Sequence, residues 1–258
     1  MSDASVRVTS VHDLAPQARN LRAHWLAWGG SSGVHDDLVL YRSGLQHRLL
    51  NGVLRLRGKD VQAAAAEAER QLAGVPWRWW VGPDSDAHVS DALLKRGYER
   101  TGSMPIMSTR LDRPPVPDLP AGLTIESSTG PEGAAEYVDA YASSFGMTSL
   151  QDGVVTAERN LRTDLGVLIR MVGYLDRRPV ASSATLISNG VAGLYWVATD
   201  PSHRGRGIGT ALTVAAMNIA QDHGAQVCTL QASAMGTPVY RRLGFTQVSE
   251  IGLFTPPA

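Results

Sequence analysis

The segment Arg204-Gly205-Arg206-Gly207-Ile208-Gly209-Thr210 carries the densest chemical signal in the sequence. Glycines let a backbone approach a ligand closely. A helix start adds unpaired N–H donors and the positive end of a dipole. The turn lies between a strand-like run ending near Thr199 and a helix whose apolar positions (Ile208, Leu212, Ala215, Ala216, Ile219) fall at helical spacing. Such a turn is an anion site suited to a pyrophosphate. Glycines used only for tight packing are the plain alternative, and the two interleaved arginines favour phosphate. An NTPase turn needs Gly-Lys-Ser/Thr after four spacers, and no such lysine is present. A dinucleotide turn wants a third glycine where Thr210 stands, and an acidic residue where the next strand ends in Gln231.

The elements that must position this turn can be read around it. Leu123–Glu126 reads as a strand, Pro131–Phe145 and Thr156–Leu165 as helices, and Val167–Leu175 and Val180–Ser188 as strands. Asn189-Gly190 is a strong hairpin signal leading into Val191–Thr199. After the glycine turn and its helix, Gly224 supplies a stop. Val227–Gln231 is a strand, Thr237–Leu243 a short helix, and Phe245 begins the last strands. The first half runs in a similar order: helix Leu14–Trp28, strands Leu38–Arg42 and Gly52–Arg57, helix Asp60–Leu72, strand Trp77–Val81, helix Asp86–Arg96, and strands from Tyr98 to Leu111. Between the halves lies Arg113-Pro114-Pro115-Val116-Pro117-Asp118-Leu119-Pro120, read as a stiff linker because proline fixes φ and lacks an N–H. Leu94-Lys95-Arg96-Gly97-Tyr98 echoes Arg241-Arg242-Leu243-Gly244-Phe245, which points to a diverged internal duplication.

Composition narrows the class. Among 258 residues, 24 Lys and Arg balance 24 Asp and Glu, so no overall field recruits a polyanion. The 43% hydrophobic content suffices for a core. There is no apolar run of about 18 residues, and Met1-Ser2-Asp3-Ala4 does not begin a signal peptide, so a cytoplasmic protein with no membrane partner is expected. A single cysteine, Cys228, excludes a disulfide framework and a cysteine metal cluster; it reads as a core residue.

The order of elements and two motifs resemble the GCN5-related N-acetyltransferase (GNAT) superfamily. The family's pyrophosphate signature, Gln/Arg-x-x-Gly-x-Gly/Ala, is matched by Arg204, Gly207 and Gly209. Its Tyr-x-x-Leu-Gly-Phe helix is matched by Tyr240-Arg241-Arg242-Leu243-Gly244-Phe245. The resemblance covers about half the chain, Leu123 to Phe254. It implies an α/β (α+β) fold of two tandem GNAT-like domains, each a central mixed, mainly antiparallel sheet flanked by helices. Residues 1–112 would be a degenerate copy shaping the acceptor cleft, 113–120 the linker, and 121–258 the catalytic domain. Leu56-Arg57-Gly58-Lys59-Asp60 in the first half lacks the alternating glycines, so no coenzyme is expected there.

What the resemblance implies chemically is transfer of an acetyl or short acyl group from acyl-CoA, as co-substrate and without a metal, to a primary amine of a small molecule or peptide. Trp196, Val197 and Ala198 would pair with the pantetheine amides. Backbone N–H groups of Arg204, Gly205, Arg206, Gly207, Ile208, Gly209 and Thr210 would take the pyrophosphate. A backbone N–H, of Val197 or Ala198, would stabilise the oxyanion, Tyr240 would protonate the thiolate, and Ser233 would lie near both or cap a helix. Relatives often carry a glutamate on the fourth strand, but Gly193–Thr199 has no carboxylate. The base is therefore sought among Glu126, Glu136, Asp152 and Glu158, in water, or in an amine that arrives neutral. A non-catalytic acyl-CoA sensor, or an enzyme using a carrier-protein or aminoacyl-tRNA donor, is the alternative; monomer and homodimer stay open.

Other signals reduce to structure. Gly29-Gly30-Ser31-Ser32-Gly33 has the nucleophile-elbow pattern but follows a helix, so it reads as a loop. His12, His24, His35 and His47 have no metal spacing and read as surface or core residues. Trp77 and Trp79 alternate with Trp80 across a strand.

Overall fold

Two dipeptides turn the second half back on itself. Asn189 (φ 53°) and Gly190 (φ 73°) are both left-handed, as are Asp176 (φ 48°) and Arg177 (φ 61°). Two consecutive positive φ values match the right-handed twist of the strands they join. The outcome is the meander the sequence predicts. The computed structural model describes residues 8–257 apart from 31, 117, 129 and 132, with only the backbone of Ser128; Ser31 of the glycine loop and Pro117 of the linker fall outside it.

In chain order the first half holds α1 (Leu14–Leu26), β1 (Leu38–Arg42), β2 (Asn51–Leu56), α2 (Val61–Gln71), β3 (Arg78–Val81), α3 (Val89–Lys95) and β4 (Glu99–Arg110). The second holds β5 (Thr124–Ser128), α4 (Ala134–Ala142), α5 (Gln151–Arg159), β6 (Val167–Leu175), β7 (Arg178–Ser188) and β8 (Val191–Thr199). It ends with α6 (Ile208–Asp222), β9 (Val227–Gln231), α7 (Thr237–Arg242) and β10 (Thr246–Thr255). Between Tyr98 and Leu111 there is one long strand, β4 (Glu99–Arg110), where several were expected. The helix expected at Thr156–Leu165 lies instead at Gln151–Arg159. Gly153 is tolerated inside it because Leu45 packs where a Cβ would sit. It ends as the Asn160 side chain folds back onto the Thr156 carbonyl, 2.8 Å away.

All ten described strands share one sheet, ordered β1-β2-β3-β10-β4-β9-β8-β7-β6-β5. Only β2·β3 and β8·β9 run parallel; the other neighbours are antiparallel. Each parallel pair is bridged by a helix, α2 or α6, and followed by a second short helix and a long strand. That repeated order is what an internal duplication produces. The closing strands are exchanged: β10 lies against β3 of the first half, and β4 against β9 of the second.

One face of the sheet carries α1, α4 and α5 over a core that joins both halves, from Trp25, Tyr41 and Trp80 to Tyr141, Tyr195 and Trp196. The other face carries α2 and α3 on one side, around Trp79, and α6 and α7 on the other, around Leu212 and Phe245. The linker is tied to α6, where the side-chain amides of Asn218 and Gln221 donate to the carbonyls of Pro115 (3.1 Å) and Leu111 (2.7 Å). Among the described residues no helix is long and apolar enough to cross a membrane.

Helix α1 is joined to the second half by polar groups with no access to water. Asn20 donates to the carbonyls of Leu186 (2.9 Å) and Val191 (3.2 Å) and accepts from the Tyr195 hydroxyl at 2.7 Å. The approach is open only because residue 193 is glycine: a Cβ there would collide with Asn20 Oδ1. Gln17 does the same further along, accepting from Ser108 (2.6 Å) and Thr229 (2.9 Å). Removing Asn20 strands buried polar atoms at about 1–3 kcal/mol each. Asn20→Ala is therefore expected to lower stability by at least ~2 kcal/mol in urea unfolding, with an unchanged denaturant slope.

Candidate active site

Strand β8 changes conformation at Trp196, whose φ of 51° is left-handed and unusual for an aromatic residue. Ala184 pairs with Tyr195 but Ser182 pairs with Ala198, so β8 carries one residue more than β7 over this stretch. This is a β-bulge, and it re-aims the strand. The Ser182 hydroxyl secures it by donating to the Trp196 carbonyl at 2.7 Å. On its other side β8 pairs with β9 only as far as Leu194 and Leu230. Beyond that the two parallel strands diverge, leaving the Trp196–Thr199 backbone an edge without a β9 partner.

The glycine turn fills the mouth of this opening. Gly205 (φ 77°) and Gly207 (φ 79°) take the left-handed conformation that a side chain disfavours, and Gly207 is the N-cap of α6. No side chain caps α6 and its first turn holds no acidic residue, so its opening N–H groups face outward as donors. In the first half, by contrast, the carboxylate of Asp60 accepts from Ala63 N–H at 2.9 Å, and Asp86 accepts from Gly58 N–H at 2.6 Å. There the chain's own carboxylates sit where an anion would go.

A cleft of about 590 Å³ runs from the glycine turn to the bulge. Val197, Ala198, Arg204, Gly205, Gly207, Ile208, Gly209, Thr210, Ser233 and Tyr240 line it, so most residues singled out in the sequence are brought together. Arg206 and Trp196 are not among them. Arg206 lines a separate surface hollow with Pro120, Asp176 and Arg178. Arg204 is folded back, its Nε donating to the Thr199 carbonyl at 3.1 Å. Asp200 caps the turn by accepting from Ser202 N–H at 2.9 Å.

Tyr240 reaches the cleft from α7 with 8% of its surface exposed, its ring against Phe245 at 5.8 Å. Gly236, one turn earlier, leaves room for that ring, since a Cβ would stand 2.8 Å from it. Burial, reinforced by neighbouring Cys228, pushes the phenol up to about 12, so it is a protonated donor throughout the neutral range. Ser233 Oγ accepts from Gly236 N–H at 3.1 Å, which fixes the turn into α7. Cys228 is fully buried, and burial holds its thiol above the usual range.

Beyond Val197, Ser233 and Tyr240 the cleft continues into an inner cavity of about 150 Å³. Its walls come from both halves: His24, Trp25, Leu49, Trp80 and Met104 on one side, Phe145, Tyr195 and Trp196 on the other. The Trp196 ring stacks on Tyr141 (4.9 Å, 15°) and meets Phe145 edge-on at 4.9 Å, with Trp25 and Trp28 each at 5.6 Å. His24 lies parallel on Tyr195 at 3.6 Å, with Nε2 buried and no hydrogen-bond partner among the described residues. Sequence reading left His24 as an ordinary core or surface histidine and missed these walls; their only signal was a helix, α1, with polar residues on its apolar side.

None of the four carboxylates considered as a base lines either cavity. Glu126, Glu136 and Asp152 are exposed, and Glu136 accepts from the Tyr174 hydroxyl at 2.7 Å. Glu158 is buried against Arg170 (2.9 Å) and the Tyr141 hydroxyl (3.2 Å), so it anchors the residue that flanks Trp196. Burial pushes its carboxyl up, against the opposing pull of Arg170. Among the described residues no group of three or more His, Cys, Asp or Glu is arranged to hold a metal.

The uncapped glycine turn, the splayed and bulged β8 and Tyr240 all lie in a segment that matches an acetyltransferase domain. The family model of the acetyltransferase (GNAT) domain matches residues 154–247, which span β6 to β9, the glycine turn and Tyr240. Mycothiol acetyltransferase from Rhodococcus erythropolis is 26% identical over 217 residues, 74% of this chain and 69% of that protein. A GCN5-related N-acetyltransferase from Kribbella flavida superposes with TM-score 0.69 at 20% identity, over 95% of this chain and 96% of that one. A tandem GNAT protein from the clavulanic acid biosynthesis pathway gives TM-score 0.58 at 17% identity, over 88% and 82%. At these identities the two superpositions speak for the fold, and they span nearly all of both halves. Residues 154–247 thus match an acetyltransferase (GNAT) domain, and the fold of both halves is that of GCN5-related N-acetyltransferase structures.

Burial, helped by Arg170, pulls the His24 imidazole down from 6.5 to about 3. Between those values the unfolded chain binds a proton that the folded chain refuses, so stability is full above pH ~6.5 and falls as pH drops toward 3. Replacing His24 by Phe removes this contribution. Melting temperatures measured at pH 7, 5 and 4 are expected to fall less steeply for His24→Phe than for the parent.

Proposed function

We propose that this protein transfers an acetyl or short acyl group from acyl-CoA to a primary amine of a small molecule by direct attack on the thioester. One observation carries the reading: the uncapped start of α6 and the splayed edge of β8 open into a single cleft, with the Tyr240 phenol at their junction. The residues present fit the coenzyme. Left-handed glycines leave the turn open, a Cβ at Gly209 would press on Thr199 Oγ1 at 3.3 Å, and the donors at the start of α6 are uncommitted.

In this reading the backbone N–H groups from Arg204 to Thr210 hold the pyrophosphate, and the Trp196–Ala198 edge pairs with the pantetheine amides as an added strand would. The thioester supplies the acyl group. The bulge turns a backbone N–H, of Val197 or Ala198, toward the carbonyl oxygen on which charge develops. Tyr240, held protonated, donates to the departing sulfur, and Ser233 keeps α7 at the distance this requires. With no carboxylate lining the cleft, the acceptor enters as the neutral amine. The first half, residues 1–112, completes the acceptor side and takes no coenzyme of its own, because Asp60 and Asp86 occupy its equivalent turn. The linker, residues 113–120, and the second half, residues 121–258, are the remaining divisions of this reading. The Rhodococcus relative is a mycothiol acetyltransferase, and its acceptor is the comparison to run against simple amines.

Calorimetric titration with acetyl-CoA is expected to give a Kd in the micromolar range, about −8 kcal/mol. Gly207→Trp should abolish it, because the indole would fill the cradle and strain a left-handed residue; binding unchanged in that variant would move the coenzyme elsewhere. Tyr240→Phe should leave that Kd nearly unaltered and lower kcat on the order of 10²-fold, the usual range for a positioned acid. With the phenol near 12, parent activity should rise with the free-amine fraction and show no descending limb below pH ~11.

A further inference from the structure

Resting on that reading of the site, we infer that the inner cavity selects a compact amine with a single apolar or aromatic body, and excludes polyhydroxylated and polycationic acceptors. Val197, Ser233, Tyr240 and Phe145 line both cavities, so their meeting point is where an amine nitrogen entering from the inner side would face an acyl group held in the cleft. The part of the amine beyond the nitrogen then enters a partly open cavity of about 150 Å³. An apolar cavity of about this volume holds one benzene-sized ring.

The chemistry of the walls argues in the same direction. The indoles of Trp25, Trp80 and Trp196 join Met104, Leu49 and Leu194 in an apolar wall, and no Asp, Glu, Lys or Arg takes part in the lining. A second ammonium would enter without a counter-ion, and an uncompensated buried charge is strongly disfavoured. Arg78 already lies over the Trp80 ring at 5.7 Å, which sets a like charge against any further cation there. Hydroxyl groups fare little better, because each one left unpaired costs about 1–3 kcal/mol. Polar partners are few: Gln231, Ser233 and Tyr240 toward the sheet opening, the single N–H groups of the Trp25 and Trp196 indoles, and His24, whose burial keeps its imidazole uncharged. A neutral imidazole with one unpartnered buried nitrogen suits a single hydrogen-bonding group, not a ring of hydroxyls.

The first half supplies His24, Trp25, Leu49, Trp80 and Met104, so acceptor choice is written in the half that lacks a coenzyme turn. Leu49 is partly buried at the rim, where a larger side chain fills the cavity with little disturbance to the sheet.

The test compares phenethylamine, glucosamine and spermidine as acceptors, by release of free coenzyme thiol from acetyl-CoA. Binding is read independently by quenching of tryptophan fluorescence, to which Trp25, Trp80 and Trp196 contribute. A kcat/KM for phenethylamine at least about tenfold above either other amine is expected, within the range that a misfitting pocket imposes. Leu49→Trp should raise KM for phenethylamine about tenfold while the Kd for acetyl-CoA holds, which also reports that the variant is folded. Glucosamine or spermidine acetylated as well as phenethylamine overturns the inference and leaves acyl transfer standing. Quenching by phenethylamine without turnover supports the cavity's preference and counts against the transfer reading. No quenching by phenethylamine, whatever acetyl-CoA does, overturns the inference.

Discussion

The backbone reversal at Trp196 is the constraint on which the site depends. Holding a non-glycine residue at positive φ costs about 1–3 kcal/mol. The return comes from the ring: Tyr141, Phe145, Trp25 and Trp28 all contact it, and each aromatic pair contributes about 0.5–1.5 kcal/mol beyond its area. The clamp therefore outweighs the strain, and it draws on α1 in one half and α4 in the other. Behind Tyr141 stands the buried Glu158–Arg170 pair, so a charge cluster outside the cleft holds the strand that borders it.

The two halves show a similar local order and differ at the corresponding helix starts by a few side chains. At α6 the helix start is left bare; at α2 it is closed by Asp60, and the loop before it by Asp86. The difference is electrostatic: one end leaves its donors without a side-chain cap, the other has satisfied them internally. What the first half gives instead is aromatic surface, placed over β8 by α1 through Asn20 and the vacancy at Gly193.

Much of this was legible in the sequence where the cause is local. Val227–Gln231 was read to the residue, Asn189-Gly190 turned as expected, and Ile208 opened α6 after the glycines. Local rules misplaced α5, because what makes Gly153 tolerable is Leu45, a neighbour far away in sequence. The bulge had no signature, since nothing about a tryptophan in an apolar strand predicts positive φ. His24 looked ordinary for a similar reason: its meaning comes from Tyr195 and the cavity beside it, which only the fold brings near. The order of the strands was equally invisible, for pairing across such separations leaves no trace in periodicity.

The exchange of β4 and β10 has a consequence for how the chain is made. β3 is synthesised early, yet its antiparallel neighbour β10 follows every other strand in the sequence. Until β10 emerges, β3 and one side of β4 present open edges, with Trp79 and Trp80 close by. Such edges attract other chains, and closing a sheet through contacts this distant in sequence is slow. The nascent polypeptide thus passes through an interval in which its middle is complete and its sheet is not. During that interval a neighbouring copy's last strand can satisfy β3 as well as its own, so assembly within one molecule competes with strand swapping between two.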